Sequence, residues 1–243
     1  MRVLAPYDHD LDALGSLPDV VQLSFWDGQG DLPEGARAAE VWAPPFLGAA
    51  KLVQATRDRP DLRLVQLLTA GADAWIGVLP DGVRLCDGRG IHTDVTAEWV
   101  LAATLGSLRE IHTFAVAAHE HRWTQHPTDG LGGKRVLIVG AGSVGEAIVA
   151  RMEPFDVRTT LVATRARGDV RGVDELPQLL PEADVVVLIV PLTDGTRGMV
   201  DADFLAAMPD GALLVNAART GRTHRRAARR ADRRPAARSP GRH

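Results

Sequence analysis

Residues Arg135-Val136-Leu137-Ile138-Val139 run directly into Gly140-Ala141-Gly142-Ser143-Val144-Gly145, and a helical pattern follows from Glu146 to Arg151. No other stretch constrains the fold as tightly. An apolar strand, a G-x-G-x-x-G turn and a helix in succession form the first half of a βαβ unit. Each glycine has a mechanical reason. Gly140 permits the tight turn, Gly142 lets the backbone approach a diphosphate, and Gly145 lets helix pack on strand. The helix opens at Ser143 and Val144, where free N–H groups and a partial positive charge face the same place. The context predicts a dinucleotide site, against the plainer alternative of a glycine turn in some other α/β fold.

The next strand, Arg158 to Ala163, is expected to end beside the adenosine ribose. A site for NAD usually carries Asp or Glu there, about 20 residues past the glycines. Here the place is held by Ala163-Thr164-Arg165-Ala166-Arg167, with Asp156 before the strand and Asp169 beyond the turn. Arg165 and Arg167, with Thr164 beside them, can pair with a 2′-phosphate, which favours NADP over NAD. The bland alternative is that both arginines are solvated loop charges. Glu182 to Thr193 reads as a buried parallel strand opening into a Pro-Leu-Thr turn, and the strand 212–216 ends at Asn216. Ligands of such sheets bind outside the carboxyl ends of strands, so Pro191, Thr193 and Asn216 join the candidate site.

Upstream, Arg2 to Pro6, Val20 to Phe25, Glu40 to Ala43 and Leu64 to Leu68 read as strands, with helical stretches between them such as 49–57. Alternating strands and helices predict a parallel sheet covered on both faces. Residues 94–118 read as one long helix, with Leu101, Leu105, Leu108 and Ile111 at helical spacing. The 243 residues, 45% hydrophobic and 24% charged, leave room for two modest domains and exclude wholesale disorder. No apolar run approaches the ~18 residues of a membrane helix, and the apolar opening is too short for a signal peptide. One cysteine, Cys86, fits a reducing cytoplasm and reads as a packing residue. The net charge of −3 hides a split: residues 220–243 hold nine arginines against one aspartate. The acidic remainder suggests neither a nucleic-acid nor a membrane partner.

Five segments together resemble the D-isomer-specific 2-hydroxyacid dehydrogenase family. They are Val65-Gln66-Leu67-Leu68-Thr69-Ala70-Gly71-Ala72-Asp73; Ala97-Glu98-Trp99-Val100-Leu101-Ala102; the glycine-rich run from Leu131 to Gly145; Ala183-Asp184-Val185-Val186 with Val190-Pro191-Leu192-Thr193; and Asn216-Ala217-Ala218-Arg219. The resemblance covers roughly 60–219. It implies an α/β protein in which a Rossmann-type doubly wound parallel sheet is joined to a smaller, flavodoxin-like N-terminal substrate domain. By this resemblance, residues 1–93 form the substrate domain and 94–219 the dinucleotide domain with a dimerisation helix. Residues 220–243 are left as an Arg/Ala-rich disordered tail. The resemblance further implies hydride transfer between a nicotinamide cofactor, NADP or NAD, and a small 2-keto or 2-hydroxy acid. It also implies a homodimer. Arg219 corresponds to the arginine that binds substrate carboxylate and carbonyl. Ala70, Gly71 and Ala72 correspond to a second carboxylate contact made by backbone N–H groups.

The family pattern then breaks. Beyond Arg219 the family carries a glutamate and, in a Pro-His signature, the proton-transferring histidine. Residues 220–243 contain no Glu, Val, Ile or Leu, and His224 and His243 lack the Pro-His context. A truncated or frame-shifted member is expected, with the C-terminal elements missing. Little turnover is expected of it, the alternative being a non-catalytic dinucleotide-binding remnant. For the tail, a shifted reading frame, a polyanion-binding arm and a solvated segment remain open. Strand 212–216 is apolar on both faces and is expected to leave an open edge and a poorly soluble chain. No metal site is expected, because His119 and His121, two apart on a helix, point away from each other. Asp156 stands where the family has glycine, and at φ > 0 it carries a cost of up to about 1 kcal/mol.

Overall fold

The computed structural model describes residues 1–8, 15–46, 48, 52–57 and 59–218. The chain divides into two units, Met1–His92 and Thr93–His243.

In the first unit five strands form one parallel sheet: β1 (Arg2–Ala5), β2 (Gln22–Phe25), β3 (Val41–Trp42), β4 (Leu64–Gln66) and β5 (Arg84–Cys86). Their order, β2-β1-β3-β4-β5, is the flavodoxin-like one. β5 escaped sequence reading, since Arg84-Leu85-Cys86 is too short to show a pattern. Of the helix expected over 49–57, the described part holds an α-helical Leu52 followed by a 3-10 turn, Val53–Thr56. Trp42 is fully buried among other rings. Trp26 stacks on it at 6.0 Å and Trp75 meets it edge-on at 5.8 Å. The guanidinium carbon of Arg59 lies 4.4 Å from the Trp42 ring centroid.

The second unit opens with α1 (Thr93–Leu108) and α2 (Ile111–His119). There follow β6 (Arg135–Val139), α3 (Ser143–Met152), β7 (Arg158–Ala163), β8 (Arg171–Gly172) and α4 (Leu176–Leu179). β9 (Val185–Leu188), α5 (Ala202–Ala207) and β10 (Leu213–Asn216) complete it. The sheet order is β10-β9-β6-β7-β8, all parallel. Counted within the unit this is 3-2-1-4-5 read from the β8 edge, the doubly wound order that reverses between β6 and β9. The central strands are buried on both faces, as continuous apolar runs require. Val136, Ile138, Val185 and Val187 pack with Val100, Ile148 and Met152 on one face. Leu137, Val139, Val186 and Leu188 pack with Leu180, Phe204 and Met208 on the other.

Three expectations change. The helix expected over 94–118 is two helices, because Glu110 takes a left-handed φ of 50°. No proline or glycine marks the break. It is held instead by the Glu110 carboxylate, 3.1 Å from Nε2 of His126, whose ring lies 5.1 Å from Phe114. The strand expected over 182–193 shrinks to β9, since Leu180–Glu182 is a 3-10 turn and 191–193 has left the sheet. β8 was not foreseen, being two residues long. Asp156 adopts φ 55° at the turn between α3 and β7. Among the described residues β10 pairs only with β9, and Leu213 and Leu214 are half-buried.

Candidate functional site

The turn between β6 and α3 is shaped by what its glycines exclude. A Cβ on Gly140 would lie 2.5 Å from the Ile189 carbonyl oxygen, and φ there is 127°. The turn must therefore pass tightly against the strand end of β9. A Cβ on Gly145 would lie 2.0 Å from the Gly140 carbonyl oxygen, so only glycine lets the first turn of α3 close onto β6. Gly142 differs from both. A Cβ there would meet nothing within 4 Å, and its φ of −98° is ordinary. Steric need inside the protein accounts for Gly140 and Gly145 but not for Gly142, whose outward side is open.

The same turn presents donors. Gly142 is the N-cap of α3, and no side chain caps the helix. Among the described residues the Gly142 N–H makes no hydrogen bond. The turn lies at the carboxyl end of β6, at the point where the sheet order reverses, and a ten-residue helix adds its dipole there. An anionic group with several acceptor oxygens fits this place, and no side chain among the described residues fills it. A diphosphate therefore passes the test the residues pose.

On the β7 side, Thr164, Arg165 and Arg167 are exposed beyond the strand end. Arg167 and Val170 exchange two backbone hydrogen bonds of 2.9 Å, closing a tight turn. From that turn the Arg167 guanidinium donates to the Ala141 carbonyl at 2.8 Å. The Arg165 guanidinium makes no hydrogen bond or ion pair among the described residues.

On the β9 side, the Pro191–Thr193 turn is fastened by Thr196, a residue that sequence reading missed. Its Oγ1 accepts from the Thr193 N–H at 2.9 Å and donates to the Pro191 carbonyl. The signal was present as a Thr-x-x-Thr turn, in which a hydroxyl substitutes for backbone. At the end of β10, Asn216 Oδ1 accepts from the Ala218 N–H at 2.9 Å, and the Ala217 N–H donates to the Leu188 carbonyl at 3.0 Å. Asn216 and Ala218 share an open pocket with Val95, Thr96 and Trp99 from the start of α1. Val95 and Thr96 were also missed, because nothing in their pattern separates a pocket wall from a helix surface.

Gly140, Gly142, Ser143, Val144 and Gly145 thus share one end of the sheet with Thr164, Arg165, Arg167, Pro191, Thr193 and Asn216. Ala70, Gly71 and Ala72 belong to the first unit, just past the carboxyl end of β4. There the Thr69 hydroxyl donates to the Gly71 carbonyl at 3.0 Å, and the Ala72 carbonyl accepts from Trp75 N–H at 2.8 Å. Arg219 and the tail lie outside the described residues. No group of three His, Cys, Asp or Glu residues that could hold a metal occurs among the described residues. No helix among them is long and apolar enough to cross a membrane. The carboxylates with shifted titration lie elsewhere. Asp184, at the amino end of β9, is held below its usual range by the Arg135 N–H and then by the Arg135 charge. Asp129, ahead of β6, is held low by Lys134 and the Gly130 N–H.

Residues 101–231 match the sequence model described as "D-isomer specific 2-hydroxyacid dehydrogenase, NAD binding domain". The match runs past Arg219 into the arginine-rich segment. An uncharacterized protein in the proB 3′ region of Corynebacterium melassecola is 34% identical over 178 residues, covering 67% of this chain and 57% of that one. The glyoxylate reductase of Korarchaeum cryptofilum is 32% identical over 174 residues, covering 66% of this chain and 52% of that one. Among solved structures, a D-isomer specific 2-hydroxyacid dehydrogenase from Xanthobacter autotrophicus Py2, crystallised with NADPH and MES, superimposes with a TM-score of 0.70 at 27% identity. That likeness covers 95% of this chain and 77% of the other. The chain spans about half the length of the curated relatives it matches.

Proposed function

The chain belongs to the D-isomer specific 2-hydroxyacid dehydrogenase family, and from that premise we propose that it is an NAD(P)-dependent oxidoreductase acting on a small 2-keto or 2-hydroxy acid. The observation that carries the reading is Gly142. It is a glycine with no internal steric reason to be one, at an uncapped helix start, on the reversal point of a doubly wound sheet. A diphosphate supplies the missing reason.

In this reading Gly140, Gly142, Ser143, Val144 and Gly145 hold the diphosphate through backbone N–H groups and the α3 dipole. Thr164, Arg165 and Arg167 stand at the adenosine end, and a cationic loop there favours a 2′-phosphate, hence NADP. Pro191, Thr193 and Asn216 shape the wall against which the nicotinamide lies. The nicotinamide, when bound, gives or takes the hydride. Arg219 orients and binds the substrate carboxylate as a charged fork, and the backbone at Ala70, Gly71 and Ala72 makes the second carboxylate contact. The protein works in the cytoplasm, in keeping with its single cysteine, and as a homodimer. Exposed apolar side chains along α1 and α2, such as Val95, Trp99, Ile111 and Val116, support the dimer.

One observation favours a second reading, dinucleotide binding without turnover. Residues 220–243 contain no glutamate and no Pro-His pair, so the acid–base groups are not matched within these 243 residues. General acid–base groups are worth roughly 10²–10⁴-fold in rate. Two measurements separate the readings: NADPH binding followed by fluorescence, and NADPH oxidation with glyoxylate or hydroxypyruvate. Binding with turnover supports the oxidoreductase, and binding without turnover supports the second reading. Absence of binding rejects both.

A further inference from the structure

Arg165 and Arg167 stand two apart beside the adenosine end of the site, yet the structure treats them differently. The backbone of Arg167 is fixed by its paired hydrogen bonds with Val170, and Gly168 inside that turn takes φ 51°. From this fixed base the guanidinium reaches across to the Ala141 carbonyl at 2.8 Å. It joins two segments 26 residues apart, the β7–β8 loop and the glycine-rich turn. Arg165 is exposed and its guanidinium has no partner among the described residues.

The carbonyl that Arg167 grips is half of a peptide group whose other half is the Gly142 N–H. A peptide unit is planar and trans, so its C=O and N–H point in opposite directions. Fixing the Ala141 oxygen fixes where the Gly142 N–H aims. A cation on the carbonyl also polarises the amide and makes its N–H a better donor. This is the N–H that makes no hydrogen bond among the described residues, on the glycine whose outward side is open.

We propose that Arg167 is a positioning residue: it holds the Ala141–Gly142 peptide so that the Gly142 N–H meets the diphosphate, and it does so equally for NADH and NADPH. Arg165 alone is then left to read the 2′-phosphate. The inference rests on the dinucleotide reading above and sharpens it, because two arginines that sequence alone treats as a pair divide into an aiming group and a specificity group.

The test compares the full chain with Arg167→Met, Arg167→Lys and Arg165→Met, titrating NADH and NADPH separately by nicotinamide fluorescence. A hydrogen bond to a charged group is worth roughly a ten- to hundredfold change in affinity. Arg167→Met weakens NADH and NADPH by the same factor, about tenfold, leaving their ratio unchanged. Arg167→Lys, which keeps a donor for the Ala141 carbonyl, restores most of the loss. Arg165→Met weakens NADPH about ten- to hundredfold and leaves NADH unchanged. Circular dichroism shows that each variant is folded. A loss confined to NADPH in Arg167→Met places Arg167 on the 2′-phosphate and overturns the proposal, as does unchanged binding of both cofactors. A wild-type chain that binds neither cofactor rejects the dinucleotide reading itself, a result distinct from either of these.

Discussion

Two Gly→Ala substitutions three residues apart should separate stability from binding. At Gly145 a new Cβ lies 2.0 Å from the Gly140 carbonyl oxygen and 3.3 Å from a methyl group of Leu161. The oxygen is backbone within the turn, so relief requires α3 to move away from β6 by more than 1 Å, against an ordinary contact of about 3.4 Å. Overpacking of this kind costs roughly 1–3 kcal/mol. In a chain of this size that lowers the melting temperature by about 2–12 °C. At Gly142 a new Cβ meets nothing within 4 Å and φ is −98°. Alanine there restricts the unfolded chain and is a slightly poorer N-cap, effects of opposite sign below about 1 kcal/mol each. Gly142→Ala should therefore melt within a degree or two of wild type. It should nevertheless weaken NADPH by at least about tenfold, because the methyl occupies the approach of the diphosphate, and Gly142→Val should weaken it further. Differential scanning fluorimetry and fluorescence titration give the two readouts. If Gly142→Ala binds NADPH as tightly as wild type, the open side of Gly142 does not face the diphosphate. If Gly145→Ala is as stable as wild type, the close approach is not a constraint.

Four further outcomes follow from other parts of the molecule. Arg59 is 3% exposed and its guanidinium nitrogens have no hydrogen-bond partner among the described residues, and burial lowers its pKa from the ordinary guanidinium range to about 10. That fall corresponds to a penalty of about 3 kcal/mol, which the Trp42 contact offsets by about 1–2 kcal/mol. Arg59→Met should leave urea stability at pH 7 unchanged or higher. The penalty is full below the folded pKa and relieved as pH rises through it, so any gain should shrink above pH 10; a loss beyond 1 kcal/mol at pH 7 would contradict this. Asp184→Ala should cost about 1 kcal/mol. The carboxylate's folded pKa lies below its ordinary 3.8, so its contribution is present above that pH and fades as pH falls through the folded value. Equal acid sensitivity in wild type and variant would remove Asp184 from the account. Thr196→Val should loosen the Pro191–Thr193 turn and weaken NADPH a few-fold with little change in melting temperature, and unchanged affinity counts against a role for the turn. The edge of β10 that has no partner among the described residues should make the chain associate with increasing concentration, and a monodisperse species by light scattering at all concentrations contradicts that.

The second unit was legible because its signals are local. A five-residue apolar strand, three glycines and a helix occupy consecutive positions 135–152. Asp156 could be read as a strained turn because it stands where the resembled family has glycine, and φ there is 55°. What stayed hidden depends on contacts between distant residues or on very short elements. The break at Glu110 lies inside an uninterrupted apolar period, and its tie, His126, stands 16 residues away. Strands β5 and β8, three and two residues long, carry no period at all. Sequence reading paired Arg165 with Arg167 because both are cations on one loop. Only the position of the Ala141 carbonyl separates them.

That separation bears on how such a site is built. Every group that the candidate diphosphate cradle needs is backbone, so the side chains around it act by holding peptides in place. Gly140 and Gly145 do this by absence, allowing Ile189 and the turn itself to press close. Arg167 does it by presence, gripping the Ala141 carbonyl and so fixing the direction of the Gly142 N–H on the other side of the same peptide. A cradle of this kind fixes few side chains, which suits a chain that shares only 27% of its residues with a structural relative of TM-score 0.70. Specificity then falls to groups free of the cradle. In the proposed reading such a group is Arg165, which is exposed and has no partner among the described residues.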